Sequence, residues 1–460
     1  MWTSGSRLCS MVVVVLLAAS APRAQSGSPP EQAAAPAGGR IVRLGLRQAI
    51  DLALSRDGSA RIQLAEQLVR QSRSRLMQSR GALLPSLDSS LVQQNQTRNL
   101  AAFGIRFAFP IPGFQIPETV GPFDVFDARL TLNQSLFDLG AIRRFQASRA
   151  GVGLAETEQE SASDAVAAQV ARAYVGTLRA QARVEAVQAN VVLAETLANL
   201  ARNQKDAGTG TGIEVTRAQV QLLNERQRLL VADSEGRQSL LQLARIIGLD
   251  LDVRIEPVDR LAYSPTDPLI PEQAVQAALQ TRADLKAQQQ REESARLAYS
   301  AVRSERVPSL VGFADYGTIG SRIGDASPTR TFGVSLRVPI YDGGRRDARR
   351  AESQALLEQE RIKTRDLRRQ IQLEVLVALD NLRSADEQVK VAGEGVQLSE
   401  EELAQARRRY EAGMTSSIEV ADAQTRRERA SDSRIAALFS YHLAQISLGE
   451  AMGTLRRIIR

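Results

Sequence analysis

Lys205-Asp206-Ala207-Gly208-Thr209-Gly210-Thr211-Gly212-Ile213-Glu214-Val215 returns 205 positions later as Tyr410-Glu411-Ala412-Gly413-Met414-Thr415-Ser416-Ser417-Ile418-Glu419-Val420. The Ala-Gly pair and the Ile-Glu-Val run hold the same offset. Farther out, Leu136-Phe137-Asp138-Leu139-Gly140 is answered by Ile340-Tyr341-Asp342-Gly343-Gly344. Leu84-Pro85-Ser86-Leu87 is answered by Val307-Pro308-Ser309-Leu310, and Gln48-Ala49-Ile50 by Gln273-Ala274-Val275. The landmarks keep one order, so the chain is a tandem duplication: a first repeat over 44–256, a joint over 257–271 and a second repeat over 272–453.

Inside each repeat the hydrophobic period changes twice. Residues 46–80 and 272–305 read as helices, each ending just before a proline that forces extended backbone. Period two follows. Ala128, Leu130, Leu132 and Leu136 oppose Arg129, Thr131, Asn133 and Ser135, while Phe332, Val334, Leu336, Val338 and Ile340 oppose Gly333, Ser335 and Arg337. With weaker partners at 87–96 and 309–318, each repeat supplies one β-hairpin, over 86–137 and 309–341. A very long helix comes next, 68 residues from Gly140 to Gly208 and 69 from Gly344 to Gly413, or about 100 Å at the α-helical rise. The second carries a seven-residue ladder, Val375, Leu382, Val389, Val396, Leu403 and Tyr410, alternating with Ile371, Ala378, Ala385, Ala392, Ser399 and Ala406. Large against small at heptad spacing describes a close-packed left-handed coiled coil. The glycine turns send antiparallel helices back over 213–247 and 418–452.

The start of the chain belongs to targeting. One positive charge, an apolar run over Leu8 to Ala19 and small residues after it read as a signal peptide over 1–24, too short for a permanent membrane helix. Cleavage would remove Cys9 and leave a chain without thiol chemistry. A Pro/Gly-rich linker over 25–43 and a tail over 454–460 complete the organisation. No later stretch reaches the about 18 apolar residues of a membrane helix, so a membrane-embedded part would have to be built from strands. The 59 Lys+Arg against 52 Asp+Glu leave a net charge of +7. Acids interleave with the Arg-rich runs and aromatics are 4 %, which favours salt-bridged helix faces and no nucleic-acid partner.

Four strands cannot close a barrel, for which about eight are needed, and an open amphipathic sheet exposes its edges. Two hairpins behind a signal peptide therefore suggest a barrel shared among subunits, the only β solution in lipid. The Pro-x-Leu entries at Pro85 and Pro308, the aromatic-Asp-x-Gly exits and the duplicated Ala-Gly turn with its Glu-Val resemble the TolC-like outer-membrane efflux family, over roughly Leu44 to Gly453. That resemblance implies a mainly α protein with a small β part. Long antiparallel coiled coils would form an α-barrel tunnel, and four strands per chain would join a trimeric twelve-stranded transmembrane β-barrel. It also implies an outer-membrane exit duct reaching into the periplasm, a homotrimer in outer-membrane lipid working with a periplasmic adaptor (membrane fusion) protein and an inner-membrane pump. The competing reading is a soluble periplasmic coiled-coil adaptor, which leaves the duplicated strand pairs unexplained.

Several residues follow as candidates. Glu419 and Asp422, three apart on one helix face, would form acidic rings at a tunnel mouth under three-fold symmetry. The resemblance makes them gate residues and gives Tyr410 a latching role. The family's basic latch position falls on Thr415, a departure from its pattern. In the first repeat Glu214 matches Glu419 while Arg217 replaces the second acid, which suggests an Asp422–Arg217 contact. Acids in the first turn of a helix are also expected from the helix dipole alone. Gly208, Thr209, Gly413, Met414 and Thr415 match the family's adaptor-docking tips, and glycine C-capping accounts for them equally. His442, the single histidine, lies in a helical stretch and reads as packed or solvated. No phosphate loop or Cys/His metal spacing is present, so neither a cofactor nor a metal nor an enzymatic activity is expected.

Overall fold

The computed structural model describes residues 41–100, 102, 104 and 119–458. The expected signal peptide 1–24 and most of the linker lie outside the described residues, as do Phe103, Phe107, Phe109 and Phe114 in the sequence between the first hairpin's strands. In chain order the first repeat runs β1 (Ile41–Leu44), α1 (Leu46–Leu54), α2 (Ala60–Gly81), β2 (Ser86–Asn99), β3 (Thr119–Phe137), α3 (Leu139–Asp206) and α4 (Gly212–Ile247). After β4 (Arg254–Pro257) the second runs α5 (Pro271–Thr281), α6 (Ala283–Ser304), β5 (Ser309–Gly320), β6 (Ser327–Arg337), α7 (Arg345–Glu411), α8 (Ser417–Ala451) and α9 (Leu455–Ile458).

The long helices begin where the aromatic-Asp-x-Gly motif puts them. The Asp138 side chain accepts from the Ala141 amide at 2.9 Å, and Asp342 accepts from the Arg346 amide at 3.1 Å. A carboxylate on the free first-turn amides is the ordinary way to start a helix. The heptad ladder of α7 is buried along its length, with only Leu382 and Ala392 half-exposed.

Three expected boundaries differ in the structure. The helix expected over 46–80 breaks at 55–59. Ser55 is extended there, and any side chain on Gly58 would put its Cβ 2.4 Å from the Leu52 carbonyl oxygen, a close approach only glycine permits. The helix expected over 272–305 breaks at one extended residue, Arg282, whose guanidinium is held by Asp284 (2.6 Å) and Glu374. The second hairpin also ends at Arg337 and not at 341, since Pro339 has no N–H for the ladder.

The four expected strands form one antiparallel sheet in the order β2-β3-β5-β6. The register places Leu132 between Leu87 and Ala314, Leu130 opposite Tyr316, and Phe332 opposite Ala314. Side chains alternate across a pleat, so these apolar residues share a face. That face is bare: Leu87, Leu91, Tyr316, Phe332, Val334 and Leu336 are each more than 60 % exposed. The opposite face carries Arg129, paired to Asp127 at 2.8 Å and to Asp315 at 3.3 Å.

The largest packed core lies away from this sheet, around a second, two-stranded sheet that periodicity missed. β1 pairs parallel with β4, Ile41 against Arg254. Strand β1 thus begins within the expected linker. Tyr174, Leu243, Ile247, Ile50 and Ile255 pack beside it, as does Leu455 of the expected tail. The Tyr174 hydroxyl donates to the Leu44 carbonyl (2.9 Å) or to Asp259 (2.7 Å), and burial with the Asp259 bond holds its phenol well above the ordinary tyrosine range. The joint 257–271 runs over α7 and α8 as a strap. Tyr263 donates to Asp386, Tyr441 to the Ser264 carbonyl, and His442 bonds the Ala262 carbonyl at 2.9 Å, which requires its Nε2 to carry the proton. The single histidine is therefore a packing residue here.

Candidate functional site at the turns of the coiled coils

Both long helices end in the same hydrogen-bonded turn. Gly208 and Gly413 take positive φ (74° and 70°). The Thr209 amide bonds the Gln204 carbonyl and the Gly208 amide that of Lys205; Met414 to Arg409 and Gly413 to Tyr410 repeat the pattern. This is the glycine C-cap in which two amides reach back to the last free carbonyls. Capping thus accounts for both glycines. It also presents Met414, Ile213 and Ile418 to solvent, each more than half exposed.

The acids at this end are paired within their own chain. Glu419 accepts from Arg409 at 2.7 Å and from the Thr415 hydroxyl. Asp422 is held by Arg426 at 2.5 Å, and the same guanidinium grips Glu402 at 2.7 Å. Thr415, which departs from the family's basic latch position, touches Glu419 through its hydroxyl, with Arg409 supplying the positive charge. The suggested Asp422–Arg217 contact does not form, because Arg426 lies one helical turn from Asp422 and engages it first. Glu214 serves its own helix end: it accepts from the amide and hydroxyl of Thr211 at 3.0 and 3.1 Å.

Tyr410 and Arg217 are brought together differently. With Gln424 they line a cavity of about 250 Å³ between the α3–α4 and α7–α8 coils, walled by Ala194, Leu197, Ala201, Ile418 and Val420. Burial, and secondarily the Glu214 charge, hold the Tyr410 phenol above its ordinary range. One turn up, a layer of polar contacts crosses between the coils. Arg427 donates to buried Asn190 at 2.9 Å, and Arg228 bridges Glu428 to the wholly buried Glu225. Arg409, Arg426, Gln424 and Glu225 carry no spacing signal; only the interleaving of acids and arginines hinted that helix faces such as these would be salt-bridged. A larger hollow of about 980 Å³ lies under the strap, lined by residues such as Leu46, Val175, Leu382 and Ile446. It gathers none of the candidate gate or docking residues.

The family described as outer membrane efflux protein matches residues 49–249 and 274–454, one span in each repeat. The chain belongs to the outer membrane efflux protein family. It is 26 % identical over 231 residues to the alkaline protease secretion protein AprF of Pseudomonas aeruginosa, a match covering 48 % of this chain and 47 % of AprF. It is 24 % identical over 311 residues to the outer membrane efflux protein BepC of Brucella suis, covering 64 % and 65 %. The matched region thus spans about half to two-thirds of these relatives' length. The CmeC outer membrane channel of Campylobacter jejuni shares the fold, with a TM-score of 0.75 at 18 % identity over 89 % of this chain and 86 % of that one. This efflux-family chain is accordingly an outer-membrane protein, and its family is one of efflux proteins, not of enzymes. Among the described residues no helix is long and apolar enough to cross a membrane.

Proposed function

We propose that three copies of this chain assemble a passive exit duct, a twelve-stranded barrel in the outer membrane continued by a periplasmic tunnel of coiled coils. The observation that carries this is the sheet. Its edge strands β2 and β6 each pair on one side only among the described residues, and one face carries the exposed apolar residues Leu87, Leu91, Tyr316, Phe332, Val334 and Leu336. Three such sheets joined edge to edge leave no open edge and place the apolar face in lipid. The helices support the same assembly. Val220, Leu223 and Leu230 on α4, and Val377, Val391 and Leu398 on α7, are exposed apolar residues largely at seven-residue spacing. Coils of neighbouring copies would cover them.

The turn end would be the periplasmic mouth. There Glu419, Asp422, Tyr410, Glu214 and Arg217 form the gate region, and Gly208, Thr209, Gly413, Met414 and Thr415 are the tips on which a periplasmic adaptor docks beneath an inner-membrane pump. The exposed Met414 and Ile418 give an adaptor apolar anchors. Because Arg409 and Arg426 already neutralise the acids, opening would have to break or carry along these pairs.

The assembly is tested by the detergent-corrected mass of protein extracted from the outer-membrane fraction, together with conductance in planar bilayers. Three chains per particle and discrete channels are expected. A detergent-independent monomer or dimer from the periplasmic fraction would sink the duct.

A further inference from the structure

The cavity between the coils holds polar groups that the chain itself leaves unmet. Tyr410 is 5 % exposed and Gln424 1 %, yet the Tyr410 hydroxyl and both amide atoms of Gln424 have no hydrogen-bond partner. Both side chains line the same space. Buried polar groups are hydrogen-bonded in nearly all folded proteins, so two in one hollow point to something that occupies it. Arg217 is the one charged residue lining it among the described residues, and it makes no ion pair there. Glu214, one turn before Arg217, acts on Tyr410 from a distance, but it does not line the cavity and is engaged by Thr211.

These features select a chemistry. A cation would meet Arg217, and a purely apolar molecule would leave the phenol and the amide unmet. A drug-sized molecule would exceed the space, which lies just below the roughly 300 Å³ at which such pockets begin. A flat ring suits walls made of Leu197, Val420 and alanines, and a carboxylate suits a guanidinium beside a hydroxyl donor. We propose that this cavity is a binding site for a small aromatic monocarboxylate, whose ring lies between the coils and whose carboxylate is met by Arg217 and the Tyr410 hydroxyl. The amide of Gln424 completes the polar lining. The occupant touches α3, α4, α7 and α8 together and so ties the two coils at their turn end. That consequence for opening rests on the gate assigned above; the binding itself does not.

The test is calorimetric titration of benzoate into the full chain purified in detergent, with benzyl alcohol as the uncharged comparator. Saturable binding of one benzoate per chain is expected, with benzyl alcohol about tenfold weaker or worse. Arg217→Gln and Gln424→Leu should each weaken benzoate by about tenfold. Ala201→Leu, which fills the cavity from α3, should abolish it. Absence of saturable binding to the wild-type chain overturns the site and leaves a hollow holding water only. So does binding that Ala201→Leu and Arg217→Gln leave unchanged. If Gln424→Leu fails to assemble, the wild-type titration and the Ala201→Leu chain still decide. Benzoate that binds without altering conductance sinks the gate assignment and spares the site, whereas a conducting channel that binds none sinks the site alone.

Discussion

Glu225 is wholly buried on α4, accepts from Gln221 at 2.6 Å and from Arg228 at 3.2 Å, and leaves its second oxygen without a partner. Burial first, and the Glu428 charge second, hold its carboxyl above the ordinary value of 4.5. The folded chain therefore keeps this proton to higher pH than the unfolded chain. Stability falls as pH rises from about 4.5 through the folded pKa, and the penalty persists above it. Glu225→Gln should raise stability at pH 7 by about 1 kcal/mol and have no such benefit at pH 4, read from thermal melts at the two values. A gain that is the same at both would mean that the carboxyl is not the cause. Tyr174 works in the opposite sense, since its hydroxyl serves the Leu44 carbonyl and Asp259 at the centre of the largest core. Tyr174→Phe should cost about 1–3 kcal/mol in denaturant unfolding, the range for a buried partner left unmet.

At the scale of the element, the coils are governed by their ends as much as by their seams. Gly208 and Gly413 sit where a Cβ would meet no neighbour, so their positive φ alone explains the residue type. Gly208→Ala and Gly413→Ala should each cost about 1 kcal/mol, appearing as faster hydrogen exchange at 200–216 and 405–421 with the rest of the coils unaffected. Uniform loss of protection would point instead to a failure of assembly. At the opposite end Asp138→Ala should remove about 1 kcal/mol by freeing the Ala141 amide, measured by the same exchange at the start of α3.

On the scale of the whole molecule, a single chain leaves two kinds of surface uncovered: the apolar face and edges of the four-stranded sheet, and the heptad stripes of α4 and α7. A charge on the sheet face should prevent insertion, whereas a charge on its polar face should not. Val334→Arg is expected to cost about 2–4 kcal/mol near the middle of the bilayer and to move the protein from the outer-membrane fraction to aggregates. Ser335→Arg, on the other face, should still fractionate with the membrane. Equal behaviour of the two would contradict the shared barrel.

The sequence by itself determined the repeat, the hairpin pairs, the heptad seams and the capped turns. Each is a local property, a period of two or of seven or a glycine at a helix end, and periods survive without knowledge of the partner. Residues such as Val396, Leu403 and Gly413 could be placed from spacing alone. Tertiary structure decided what spacing does not encode. The parallel pairing of β1 with β4 joins residues 213 apart through four-residue strands too short to show a period. The strap 257–271 has no periodicity of its own, and its place depends on Tyr441 and His442 of a helix far along the chain. At the candidate mouth, Glu419 and Asp422 were legible as acids on one face, but their partners Arg409 and Arg426, and the unmet Gln424, were not. Which charge meets which is set by the rotation and register of packed helices, and those are settled only when the coils close on one another.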